Sequence, residues 1–200
     1  MSALGRPGGA HVPGATPLDP DDVAGLIPGH IQTQSELNEW EEANNLKARD
    51  WLARPRVRIA PFDYLFALRL HKQMFGNTWR WAGQLRLRET NIGVDPRKIA
   101  ELLPQALRNA EAQLAQNPQD TDGVAARLHH RLVFIHPFPN GNGRHARQLV
   151  DLMLLKQGRH AFTWGRANLT ADGHARRQYL ASLRAADSGD LSALYAFVRS

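Results

Sequence analysis

Apolar positions recur every three or four residues along most of this chain, and that period predicts helices parted by short breaks. Thr33 and Glu36 form a capping box. A helix is therefore expected from Thr33, carrying Leu37, Trp40, Leu46 and Trp51. A second follows Pro61, with Phe62, Leu65, Phe66, Leu70 and Met74 in one stripe and Gly76 as its stop. Asp95-Pro96 opens a third, since Asp caps and Pro suits the first helical position. Ile99, Leu103, Leu107, Ala110 and Leu114 continue it, with a kink expected near Pro104. Val124, Leu128 and Leu132 place another helix from about Thr121 up to His136. The next runs from about Asn142 to Gln157, apolar nearly all round and so expected to be buried. A last pair covers roughly 174–187 and 190–199.

Two stretches break the period. From Gln84 to Val94, Leu85 and Leu87 alternate with Arg86 and Arg88, followed by Thr90, Asn91, Ile92 and Val94. A period of two with β-branched residues predicts a short hairpin or extended flap. Residues 1–20 hold four Gly and four Pro, a composition that sustains neither helix nor strand. A flexible arm is expected over 1–18, with a short turn or helix near Asp19-Pro20-Asp21-Asp22. One domain, mainly α with a small β-hairpin flap, is expected over 19–200.

Composition narrows the function classes. The 42% hydrophobic fraction of the 200 residues is enough for a sizeable core. There is no cysteine, which excludes disulfides, thiolate metal sites and a cysteine nucleophile. No window is apolar enough for a membrane span, and the N-terminus lacks a signal-peptide pattern, so a cytoplasmic protein with no membrane partner is expected. The formal charge of +6 permits polyanion binding. The arginines are scattered, however, and no recognition motif stands out, which disfavours nucleic acid as a partner.

The chemistry concentrates in "HPFPNGNGRHAR", His136 to Arg147, between the apolar runs Leu132–Ile135 and Leu149–Leu155. Gly141, Asn142 and Gly143 stand where a buried helix begins. Its free N–H groups and dipole attract anions. Arg144 and Arg147 share a face of the first turn, and two guanidinium forks suit a polyphosphate. His136 is the group there able to take a proton near neutral pH. Taken singly, each feature has an ordinary structural reading; together they point to an anion site. The run His129, His130, His136, His145 lacks the HExxH spacing of a zinc site. No P-loop or serine-elbow motif occurs.

The same twelve residues resemble the signature of the Fic (Fido) domain family, HPFx(D/E)GNGRxxR, departing at the acidic position. "FGNTWRWAGQLR" and "YLASLRAADSGDLSALYAF" resemble its pre-flap segment and C-terminal helices. "ATPLDPDDVAGLIPGHI" and "LNEWEEAN" resemble the subgroup called mobile mystery protein B. The likeness covers about residues 16 to 198. It implies a compact Fic-like helical bundle that moves AMP from ATP, with Mg²⁺ or Mn²⁺, to a Ser, Thr or Tyr hydroxyl of a target protein. His136 would be the base, Phe138 the buried anchor of the loop, and Gly141, Asn142 and Gly143 the anion hole. Arg144 and Arg147 would hold the distal phosphates. Asn140 stands where the family has an acidic magnesium ligand. An amide offers the metal no charge. Transfer of a different phosphate-containing group, or a nucleotide-binding module without turnover, therefore stays open. Many relatives carry a (S/T)xxxE(G/N) helix whose glutamate restrains the last arginine. Ser35–Glu39 fits in part, making residues 33–51 a candidate inhibitory helix with Glu39, or Glu42 one turn on, as the restraint. Ile92 and Val94 are expected at the target-docking edge. An antitoxin partner or a homo-oligomer is compatible with the resemblance.

Overall fold

The computed structural model describes residues 20–166, 169 and 173–200. Among these run eight α-helices: α1 Pro20–Val23, α2 Gln34–Leu52, α3 Tyr64–Phe75, α4 Pro96–Gln116, α5 Thr121–Ile135, α6 Asn142–Lys156, α7 His174–Asp187 and α8 Ser192–Val198. Short 3-10 turns occupy Pro118–Asp120 and Trp164–Arg166. The arm expected over 1–18 lies outside the described residues. None of the described helices is long and apolar enough to cross a membrane.

The helix starts follow local chemistry. Thr33 Oγ1 accepts from Glu36 N–H at 3.3 Å, and the Glu36 carboxylate accepts from Thr33 N–H at 2.9 Å, completing the capping box. Asp63 caps α3 by accepting from Phe66 N–H at 2.6 Å, and Asp95 caps α4 by accepting from Arg97 N–H at 2.9 Å. Pro104 sits inside α4 without ending it. The carbonyl it leaves unbonded belongs to Ala100, on the exposed side of the helix, where water can satisfy it.

α5 and α6 form the centre. α4 and α8 pack on α5, α3 packs on α6, and α2 packs on α3. Leu132 and Ile135 at the end of α5, and Leu149, Val150 and Met153 of α6, are fully buried. Burying each contributes about 1.5–3 kcal/mol. Both ends of the polar loop His136–Gly141 are thereby anchored in the core, which is why so polar a stretch lies between such apolar ones. Two stripe positions fall outside the core: Leu46 faces a cleft and Leu65 is 68% exposed.

The hairpin is corrected. Among the described residues the β pairing is a single isolated bridge, Leu26 to Trp79, and no strand forms in 84–94. The backbone donors of this segment turn to the α5–α6 loop instead. Arg86 N–H donates to the Pro137 carbonyl at 2.9 Å, and Val94 N–H to that of Ile135 at 3.4 Å. The alternation does not sort apolar from polar residues. Leu85 packs partly against the core, but Leu87 is 90% exposed, whereas Arg86 is 3% exposed. Arg88 ties the segment outward, its guanidinium 2.6 Å from the Asp21 carboxylate on α1.

Candidate active site

The loop is held in shape by its own polar groups. Asn142 is buried, and its side chain bonds the Phe138 backbone twice: Oδ1 accepts from the N–H at 2.9 Å and Nδ2 donates to the C=O at 2.7 Å. Phe138 stacks on His71 of α3 at a ring separation of 3.7 Å. His71 Nδ1 accepts from Gly83 N–H at 2.9 Å, so its Nε2–H is the donor toward the Asn140 carbonyl, 3.1 Å away. Burial, helped by nearby His145, holds His71 well below the usual histidine pKa and so in this neutral form. His145 Nε2–H donates to the Ala67 carbonyl at 2.9 Å, pinning α6 to α3. Gly141 caps α6 at φ 79°, and a side chain there would strike the Phe75 ring at 2.6 Å. Only glycine combines this backbone with that approach.

The N-terminal end of α6 has no side-chain cap among the described residues. The first intrahelical bond is His145 N–H to Gly141 C=O, so the amides of Asn142, Gly143 and Arg144 before it have no partner within the helix. Arg144 and Arg147 flank those amides. Arg144 lies over the Phe75 ring at 4.8 Å. Arg147 lies over the Tyr179 ring at 5.7 Å. The Tyr179 hydroxyl is 2.9 Å from Nε2 of buried His129 and lies within about one side-chain atom of Gly143, 3.9 Å from where a Cβ would stand.

A cleft of about 700 Å³ runs from these arginines along α2. Ser35, Asn38, Glu39, Glu42, Asn45, Leu46 and Arg49 form its α2 wall. Thr163, Trp164, Arg166 and Leu169 form the opposite side. Trp164 and Arg166 both hold positive φ, 50° and 48°. The Trp164 indole N–H donates to both oxygens of Asp151 at 3.1 Å, bracing this strained turn. Burial pushes the Asp151 carboxyl up to about 6 despite those bonds.

His136 ends α5 in the left-handed region, φ 53° and ψ 62°, just before Pro137. It is 5% exposed and lies outside the cleft lining. Burial, then the positive charge of Arg86, pulls its pKa down to about 4, against the effect of a Val133 backbone bond. At neutral pH the ring is uncharged and able to take a proton.

The structure thus brings Arg144, Arg147 and the amides of Asn142 and Gly143 together, with His136 at the other end of the loop. Glu39 and Glu42 line the cleft, but among the described residues neither forms an ion pair with Arg144 or Arg147. The carboxylate that reaches a loop arginine is Glu41, 2.7 Å from Arg144 and 3% exposed. Its other oxygen accepts from the Trp79 indole N–H at 2.7 Å. Sequence reasoning missed Glu41 because four glutamates crowd one helix, and only packing tells which turns inward. It also missed Arg86 and Gly93. Nothing in the spacing marks them, since what gives them a role is the approach of Ile135 and His136, more than forty residues away. Ile92 is 41% exposed, whereas Val94 packs partly against the core.

A divalent metal finds a poor set of donors. Asn140 offers one neutral oxygen, and that oxygen accepts from Gly141 N–H at 2.6 Å. Among the described residues no three His, Asp or Glu side chains gather into a metal site. Magnesium ordinarily takes one or two carboxylates beside phosphate oxygens. The residues present do not fit a protein-bound magnesium.

Residues 61–154 match the model of the Fic/DOC family. The chain is 30% identical over 181 residues to protein adenylyltransferase fic-1 of Caenorhabditis briggsae, a match covering 86% of this chain and 33% of the relative. It is 27% identical to the probable protein adenylyltransferase y4lH of Sinorhizobium fredii, covering 85% and 86% of the two chains. The chain therefore spans about a third of the nematode relative's length. Among solved structures, BepC of Bartonella tribocorum with bound AMPPNP superposes at a TM-score of 0.68 and 17% identity, covering 89% of this chain and 95% of that one. Fic-1 of Caenorhabditis elegans superposes at 0.58 and 27% identity, covering 88% and 51%.

Proposed function

We propose that this chain, whose residues 61–154 match the model of the Fic/DOC family, is a protein adenylyltransferase that moves AMP from ATP to a Ser, Thr or Tyr hydroxyl of a target protein. The observation that carries the reading is the α6 N-terminus, without a side-chain cap among the described residues and beside Arg144 and Arg147, with a neutral imidazole, His136, at the start of the same loop. The amides of Asn142 and Gly143 and the two guanidinium groups would hold the phosphates and neutralise their charge, the dominant requirement of such transfers. His136 would take the proton of the target hydroxyl. The freed oxygen would form a bond to the α-phosphorus as the bond to the β-phosphate oxygen breaks, releasing pyrophosphate. No step is routed through a metal; a cation that arrives with ATP would stay on the phosphates.

The target would dock over the exposed Leu87–Ile92 stretch beside His136, with Ile92 rather than Val94 as the side chain on offer. Leu87→Asp with Ile92→Asp should lower target modification and leave ATP binding intact; unaltered modification would move docking elsewhere. A second reading, a module that holds nucleotide without turning it over, is favoured by Asn140 alone. The decisive experiment is incubation of wild type and His136→Ala with α- and γ-labelled ATP and lysate proteins. Label should move from the α position only, and only with His136 present, while calorimetric ATP affinity is equal in both. Label from the γ position, or equal transfer by the variant, would refute the adenylyltransferase assignment.

A further inference from the structure

We propose that Arg86 is the positioning residue for His136, a guanidinium clamp that fixes the base from behind; this rests on reading His136 as the base. Arg86 donates through Nε to the His136 carbonyl at 2.6 Å, through Nη1 to the Arg88 carbonyl at 2.8 Å, and through Nη2 to the carbonyls of Ile135, at 3.4 Å, and Val94. Its own N–H reaches the next residue of the loop, Pro137. One side chain thus gathers four carbonyls, those of Ile135 and His136 on either side of the left-handed turn and those of Arg88 and Val94 in its own segment. Such a turn is unfavourable for a residue with a Cβ, and more so before proline. It persists where surrounding bonds over-determine it.

The clamp is closely fitted. Gly93, at φ 110°, lies against it: a Cβ there would stand 2.6 Å from the His136 Cβ and 2.7 Å from Arg86 Nη2. The guanidinium fork supplies donors in several directions at once, which the single ammonium of lysine cannot do. Arg86 makes no carboxylate ion pair among the described residues; Glu89 and Asp95 act on it only at longer range. Its charge therefore acts on His136 as well as its hydrogen bonds, in the sense that keeps the ring neutral. Among the described residues Arg86 hydrogen-bonds neither the amides proposed for phosphate nor a cleft residue, so its effect should fall on turnover rather than on nucleotide affinity.

The test compares wild type, Arg86→Lys and Arg86→Gln in three measurements: ATP affinity by calorimetry, kcat and KM for transfer, and NMR titration of the His136 ring. The expected result is unchanged ATP affinity and ATP KM in both variants, with kcat down by roughly 10²-fold, the size of a misplaced general base. In Arg86→Gln the His136 ring should titrate closer to the ordinary value of 6.5 than the wild type's value of about 4. A folded variant with full kcat, or an Arg86→Gln His136 that titrates as in wild type, would overturn the clamp. Should wild type transfer no AMP, the His136 titration still decides. Should neither variant fold, the wild type decides by itself: the Arg86 Nε–H should exchange slowly with solvent and show a nuclear Overhauser effect to Gly93. A rapidly exchanging Nε–H without that effect would overturn the proposal.

Discussion

Glu41→Gln separates a restraint on the phosphate site from a support for it. Glu41 occupies two partners with one buried carboxylate: Trp79 Nε1 and Arg144 Nη1, each at 2.7 Å. Glutamine keeps an oxygen for the indole and much of the shape, but removes the charge that competes with a phosphate for Arg144. A charge-assisted hydrogen bond contributes about 1.5–3 kcal/mol, roughly twice a neutral one. Releasing about half of it to the nucleotide is worth about 1.4 kcal/mol, so ATP should bind roughly tenfold more tightly. Stability should move the other way. Breaking a buried pair costs about 3–5 kcal/mol when one partner is deleted. Glutamine's one oxygen serves the indole while its NH2 cannot accept from Arg144, but Arg144 is 18% exposed and can turn to water, so a loss of about 1–2 kcal/mol is expected. For a chain of 200 residues that lowers Tm by roughly 2–8 °C. Calorimetric titration with ATP and a thermal melt of the same samples give both numbers. ATP affinity that is unchanged or weaker in a folded Glu41→Gln would show that Glu41 aligns Arg144 for phosphate rather than withholding it.

Asn140→Asp should keep the bond from Gly141 N–H and place one negative charge beside the phosphates. It should therefore make ATP binding and transfer depend on Mg²⁺ more steeply than in wild type; identical metal titrations would remove position 140 from the cation's surroundings. Acid should destabilise the fold early. Burial lowers His136 and His145 to about 4 and His71 and His129 well below 6.5, so the unfolded chain takes up protons first as pH falls. Their contribution is complete above about 6.5 and is lost below it, at roughly 1.4 kcal/mol per pH unit for each group. Asp151, raised to about 6, has the opposite sign but is one group against four. Urea midpoints that stay level between pH 7 and 5 would contradict this.

The period of apolar residues, with Thr33 and Asp95 as caps, was sufficient to place α2 to α8 nearly to their ends, because caps and amphipathic stripes are local properties. The loop from His136 to Arg147 was legible for the same reason: a helix N-terminus, its glycines and its two arginines all lie within one short stretch. Three things were decided only by tertiary structure. The alternation at 84–94 looked like a strand, yet its donors found carbonyls at Ile135 and Pro137, so Arg86 turned inward and Leu87 outward. Four glutamates on α2 look alike in sequence, and the position of Trp79 and Arg144 chose Glu41. Whether His136 is charged depends on burial and on Arg86, fifty residues earlier in the chain. Each of these turns on which distant backbone or side chain arrives within about 3 Å, and period and spacing carry no information about that distance.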